Sequence, residues 1–179
     1  MTDDSHGWKK ISSKFVHENP YFLVRQDSVI EPNGKPAEYF VVANNPSVFI
    51  AAFTDQQELI LIKQFRYMTK RVSVELPAGG TDGEDPLTAA KRELQEETGY
   101  IAHSWKHLAK VQGANGMSDQ EVDVYLATGL EQTDNHEQEE EGISEMLKVQ
   151  IPKVLEMIKN GEISDLQSIG AISIVNLHI

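Results

Sequence analysis

Three glutamates near the middle of the chain, Glu93, Glu96 and Glu97, fall on one stripe of an α-helix, because a helix turns about 100° per residue. Leu87, Ala90 and Leu94 form the neighbouring apolar stripe, and Lys91 and Gln95 point the other way. The carboxylates therefore border the core. Like charges three and four residues apart oppose helix formation by roughly 0.2–0.5 kcal/mol per pair. No lysine on the stripe offsets them, and only Arg92 is close. A hard divalent cation would, since carboxylate oxygens are its preferred ligands. Such a cluster can serve a phosphate-bearing substrate by placing cations between two sets of negative charge. On spacing alone, the plainer reading of a solvated acidic helix face is the stronger one.

The elements that must position these residues are legible around them. Asp85-Pro86 reads as an N-cap followed by a proline at the first helical position, and Gly99 is placed to end the helix. A short strand over 72–76 and a loop over 77–83 lead into it. The apolar runs 47–53 and 59–63, bridged by Asp55-Gln-Gln-Glu, read as a hairpin into the core. Before them, Tyr21-Phe-Leu-Val and Tyr39-Phe-Val-Val read as strands joined by a turn at Pro32-Asn-Gly-Lys. Beyond the helix, strands are expected near 105–111, 121–127 and 146–151, with a polar acidic loop over 131–141. Helices over 152–159 and 165–177 close the chain. The class is α/β: a mixed sheet between helices, residues 46–179, preceded by an N-terminal antiparallel appendage, residues 1–45.

Composition narrows the chemistry. The 179 residues suffice for one domain with its own core, or a domain plus a small appendage. A formal net charge of −12 argues against a nucleic-acid partner. Cysteine is absent, which removes disulfides, thiolate catalysis and Cys-ligated metals and fits a reducing, cytoplasmic setting. The polar opening segment has no apolar core of signal-peptide length, and no run is long enough to span a bilayer. The six histidines show no metal spacing, and neither a Gly-x-Ser-x-Gly nor a Walker loop is present.

The wider pattern reverses the plain reading of the acidic stripe. Gly79, Glu84 and the run Arg92-Glu93-Leu94-Gln95-Glu96-Glu97-Thr98-Gly99-Tyr100 resemble the Nudix box. From Glu84 to Tyr100 the spacing fits, whereas the stretch from Gly79 to Glu84 is one residue shorter than the family pattern. The resemblance implies that Glu93 and Glu97 hold Mg²⁺, or Mn²⁺ in its place, with Glu96 as a third ligand and the Ala78 carbonyl completing the shell. It implies that Arg92 orients the glutamates; an exposed i,i+4 pair with Glu96 is the alternative.

The flanks are similar to the ADP-ribose pyrophosphatase branch of that family. Glu75-Leu-Pro-Ala-Gly, Lys63-Gln-Phe-Arg-Tyr, Gly116-Met-Ser-Asp and Gly161-Glu-Ile-Ser-Asp carry the likeness, which runs from about Trp8 to Leu177. It implies a nucleoside-diphosphate sugar as substrate, ADP-ribose first, split into AMP and ribose 5-phosphate by an activated water. Arg66, Met117 and Ser118 are then substrate-binding residues. Tyr21 and Tyr39 sandwich the base from N-terminal strands exchanged between the subunits of a homodimer. A general base on the acidic loop is one of Glu139, Glu140 and Glu141, and the resemblance does not single one out. A surface salt bridge for Arg66 and ordinary strand packing for the tyrosines are the competing readings. The same chemistry on GDP-mannose, another nucleotide sugar, a dinucleoside polyphosphate or a nucleoside triphosphate stays open, as does a non-catalytic regulator that binds nucleotide sugars.

Overall fold

The computed structural model describes residues 6–179; residues 1–5, where the polar opening segment begins, lie outside the described part. The elements follow in the order β1 (Lys9–Glu18), β2 (Leu23–Ile30), β3 (Pro36–Ala43), β4 (Ser47–Ala52), β5 (Glu58–Arg66), β6 (Arg71–Glu75), β7 (Ala78–Gly80), α1 (Pro86–Thr98), β8 (Tyr100–Gln112), β9 (Glu121–Gln132), β10 (Ile143–Gln150), α2 (Ile151–Lys159) and α3 (Leu166–Asn176). They divide into two compact units: the residues up to Asn45 with 112–121, and 46–111 with 122–179. No described helix is long and apolar enough to cross a membrane.

The first unit is an antiparallel sheet in the order β1-β2-β3. Its β2–β3 turn closes where the Gly34 N–H donates to the Glu31 carbonyl and Gly34 takes a φ of 84°. Residues 112–121 join this unit: the Val42 N–H donates to the Met117 carbonyl at 2.9 Å, and Arg25 reaches Asp119 at 3.0 Å. Two details differ from the sequence reading. β1 was not anticipated, because bulges after Lys10 and Phe15 break its period-2 pattern and every one of its residues is exposed. Tyr21 precedes β2 rather than lying in a strand: its N–H and that of Phe22 turn onto the Asn19 Oδ1.

The second unit is organised by β4, which is buried along its whole length. Such a strand must be covered on both faces, and its alternation feeds two cores. Val48, Ile50 and Ala52 face Ala90 and Leu94 of α1, together with Tyr125 and Ala127 of β9. Phe49 and Ala51 face Leu59 and Leu61 of β5, Val154 of α2 and Ile172 and Val175 of α3. A sheet in the order β7-β4-β9-β8, with β4 and β9 parallel, thus lies with α1 on one side. A second sheet, β10-β5-β6, completes the other core with α2 and α3.

The expected hairpin of β4 and β5 is a correction. They pair only at the Phe53–Leu59 bridge and then part into different sheets, because both edges of β4 are taken by β7 and β9. The expected loop over 77–83 is likewise partly ordered, since Ala78–Gly80 pairs with β4 as β7. α3 is locked beneath this strand end: Asp165 caps it by accepting from the Ser168 N–H, and the fully buried Ser168 Oγ accepts the Leu76 N–H at 3.1 Å. Ser168→Ala removes that acceptor and strands a buried N–H, a cost of about 1–3 kcal/mol. Urea unfolding of this variant is expected to show a lower midpoint with an unchanged slope.

Candidate active site

α1 carries the acidic stripe, and its ends are set locally. The Asp85 carboxylate accepts from the Leu87 and Thr88 N–H groups, and Gly99 ends the helix in the left-handed region at φ 71°. With Ala90 and Leu94 in the core, Glu93 and Glu97 are carried into the protein at only 8% and 4% exposure. Glu96 is half-buried and Lys91 is exposed. The Arg92 guanidinium gathers this group. It donates to Glu84 at 3.0 Å, Glu93 at 2.8 Å, Glu96 at 2.9 Å and the Gly80 carbonyl at 3.0 Å. Arg92 is therefore more than an exposed i,i+4 pair, and Glu84 stays within its reach despite the shortened loop. Gly79 leaves room for the Glu93 carboxylate, since a Cβ there would stand 2.0–2.4 Å from its atoms and displace it.

The charges are costly where they stand. Burial raises the Glu93 carboxyl above its ordinary range; Arg92 opposes the rise, while Glu96 and Glu141 add to it. Burial also pushes Glu97 up to about 8. Its Oε2 accepts the Ala78 N–H at 2.8 Å, which works the other way, as does Arg66, while Glu93 and Glu141 raise it further. Burial works against the Arg92 charge, but its carboxylate partners outweigh it and raise its pKa.

The acidic loop after β9 is tied to the end of α1. The Glu137 N–H donates to the Glu96 carbonyl at 2.8 Å and the Gln138 side chain to the Glu97 carbonyl at 3.0 Å. These are carbonyls that the last turn of a helix leaves without intrahelical partners. Among the loop glutamates put forward by the sequence, Glu141 adds to the rise of both Glu93 and Glu97.

An open cleft of about 900 Å³ is lined among others by Arg66, Tyr67, Met68, Glu75, Asp165 and Leu166. That volume suits a ligand of nucleotide-sugar size. Arg66 holds Glu75 by its Nε and Nη2, and this pairing, with Ser73, outweighs burial to keep the Glu75 carboxyl below its ordinary range. The α1 glutamates do not line the cleft; Arg66, which feels the charge of Glu97, links the two. Glu75 and Asp165 line this cleft, although sequence reasoning placed them in flanking motifs without a role of their own.

The NUDIX domain family matches residues 43–165, and the nucleoside diphosphate sugar hydrolase N-terminal domain matches residues 8–42. The chain belongs to the Nudix family. The ADP-ribose pyrophosphatase of Mycobacterium tuberculosis is 35% identical over 97% of this chain and 84% of its own length. That of Bacillus subtilis is 34% identical over 94% of this chain and 92% of its own length. A solved structure, an ADP compounds hydrolase, superposes with a TM-score of 0.82 over 94% of this chain and 92% of its own, at 20% identity, and supports the Nudix fold.

Nudix hydrolases use divalent metal ions, and the donors present here fit one. Each helix glutamate spends a single oxygen inside the protein: Glu93 Oε1 and Glu96 Oε2 on Arg92, and Glu97 Oε2 on Ala78. The second oxygen of each is left over, and all are hard donors of the kind that Mg²⁺ or Ca²⁺ takes. As they stand, no three acidic or imidazole groups among the described residues converge tightly enough to enclose an ion. The carboxylates are turned onto Arg92 and Ala78 instead.

The remaining sequence-derived residues of the Nudix chain lie in the first unit. Tyr21 is 88% exposed; Tyr39 is 48% exposed and meets Trp8 edge-on at 5.2 Å. Met117 is exposed, while Ser118 is buried and its Oγ accepts the Gln120 N–H. Gly79→Ala tests the carboxylate arrangement. The added methyl displaces the Glu93 side chain, and calorimetric Mn²⁺ affinity is expected to fall about 10- to 100-fold with the thermal midpoint little changed.

Proposed function

We propose that this Nudix protein hydrolyses the diphosphate of a nucleoside-diphosphate sugar, ADP-ribose first, giving AMP and ribose 5-phosphate. The observation that carries the reading is the set of three helix glutamates, each with one oxygen in reserve, linked through Arg66 to a cleft of nucleotide-sugar size. The two relatives named ADP-ribose pyrophosphatase, similar over most of the chain, support the choice of substrate. The metal is Mg²⁺, with Mn²⁺ as substitute, held by Glu93, Glu96 and Glu97 and by the Ala78 carbonyl. When bound, it supplies charge neutralisation and water activation. The absence of cysteine accords with work in a reducing cytoplasm.

The chain's own residues do the rest. Arg92 holds Glu93 and Glu96 in one orientation. Arg66 presents a guanidinium at the cleft wall, suited by its planar fork to diphosphate or ribose oxygens. Glu141, whose charge raises both Glu93 and Glu97, is the loop glutamate chosen to take the proton of the attacking water. The water oxygen bonds to one phosphorus, the bridging P–O bond breaks, and the other phosphate leaves with the bridging oxygen. Glu141→Gln is therefore expected to lower kcat about 10²- to 10⁴-fold with little change in KM, and Glu139→Gln and Glu140→Gln to remain near normal. The assay is phosphate release after phosphatase coupling over a panel of ADP-ribose, GDP-mannose, a dinucleoside polyphosphate and a nucleoside triphosphate. Full activity of Glu141→Gln, or turnover in excess EDTA, would overturn the mechanism; preference for another panel member would reassign the substrate.

The N-terminal strands complete the proposal. Ile11, Phe15, Tyr21 and Phe40 are all more than half exposed in this unit, an apolar surface that invites association. We place this surface, residues 1–45, in a homodimer, with Tyr21 and Tyr39 stacking on the base of the substrate and Met117 and Ser118 beside it. Stacking on an aromatic ring is worth roughly 1–3 kcal/mol, so Tyr21→Ala or Tyr39→Ala should raise KM about five- to hundredfold with less effect on kcat. Sedimentation should report a dimer at micromolar concentration. A monomer, or unchanged KM in both variants, would exclude this arrangement.

A further inference from the structure

The loop carrying Glu141 is held at both ends, and one of its holders, Gln64, lies in β5. At the near end, Glu137 and Gln138 bind the Glu96 and Glu97 carbonyls. Within the loop, the Glu141 N–H returns to the Glu137 carbonyl at 2.9 Å and the Ile143 N–H to the Gln138 carbonyl at 2.8 Å, with Gly142 at φ 71°. At the far end, Ile143 pairs with Gln64 of β5, just before the bulge that precedes Glu145. There the Gln64 Nε2 donates to the Glu141 carbonyl. The carbonyl partner fixes the amide orientation, because only the nitrogen end can donate to it. The other end, Oε1, is enclosed and accepts nothing from the protein.

We propose that Gln64 is a positioning residue: through the Glu141 backbone it sets where the Glu141 carboxylate stands relative to Glu93 and Glu97, with Gln138 as the second clamp. What the loop uses is the donor end of this amide, at the Glu141 carbonyl. An apolar side chain of similar size would fill the same space without it. β5 itself is rigid, paired on both edges by β10 and β6, so a clamp on it transmits little motion. The strand also carries Arg66, two residues on and therefore on the same face, so the cleft wall and the base are referenced to one strand.

The inference rests on the reading of Glu141 as base, and the test separates the two. Gln64→Leu keeps the volume and removes the donor, and Gln138→Leu removes the other clamp. Each is expected to retain the thermal midpoint within a few degrees and KM within about threefold, while kcat falls about 10- to 100-fold, the usual cost of a slightly misplaced group. Amide hydrogen exchange in 137–142 should speed up, with the Ala90–Leu94 turn of α1 unchanged. In a Glu141→Gln background, Gln64→Leu should cost nothing further, because the group it positions is gone. A Gln64→Leu enzyme with normal kcat, unchanged loop exchange or losses that add to those of Glu141→Gln would overturn the positioning role. If Glu141→Gln alone is fully active, it is the base assignment that fails.

Discussion

The structure depends on holding the carboxyl groups of Glu93 and Glu97 against the core along one helix, with Glu96 and the preceding Glu84 beside them. Glu84, Glu93 and Glu96 share the single Arg92 guanidinium, and Glu97 has the Ala78 N–H. Two of these carboxylates are almost wholly removed from water. A buried charge is tolerated when it is paired and hydrogen-bonded, and here the pairing is incomplete, since one cation faces three anions. The upward push on Glu93 and Glu97 measures that shortfall. A fold built for stability alone would place such a stripe toward solvent.

Much of the surrounding architecture follows from holding that stripe in place. α1 can bring the glutamates inward only because Ala90 and Leu94 pack on a strand buried on both faces. That strand needs partners on each edge, which is why β4 and β5 separate and why Ala78–Gly80 is recruited as β7. Pairing of β7 with β4 brings Gly79 against the Glu93 carboxylate and the Ala78 N–H onto Glu97. The buried Ser168 then fastens α3 beneath the same turn, so that Asp165 and Leu166 reach the cleft.

Legibility in the sequence tracked how local the physics was. α1 could be read almost to the residue, because capping by Asp85, the proline after it and the left-handed Gly99 are local events. The inward face of Glu93 and Glu97 followed from their phase with Leu94. What escaped was non-local. The parting of β4 from β5 depends on which strands compete for an edge, and hydrophobic periodicity carries no such information. β1 escaped because exposed, bulged strands lack strict alternation. The pairing of Arg66 with Glu75 joins residues nine apart across a hairpin, and the contact of Gln64 with Glu141 spans seventy-seven positions. Neither spacing leaves a mark in a single sequence. For the same reason the three loop glutamates were equivalent on paper.

The oxygen accounting explains how an acidic protein with net charge −12 can face a diphosphate. A carboxylate offers two oxygens and about four lone-pair sites, so one oxygen can be fixed within the protein while the other remains for a cation. Arg92 and the Ala78 N–H fix one oxygen each on Glu93, Glu96 and Glu97 and so orient the second without consuming it. Arg92 is well suited to this because its fork is planar and cannot lose its proton. A lysine would supply equal charge but a single, mobile point of contact. The guanidinium therefore acts as an internal counter-ion that keeps the stripe folded and leaves its repulsion only partly relieved. That residual repulsion is what a divalent ion would relieve, and its field extends to Arg66 at the cleft.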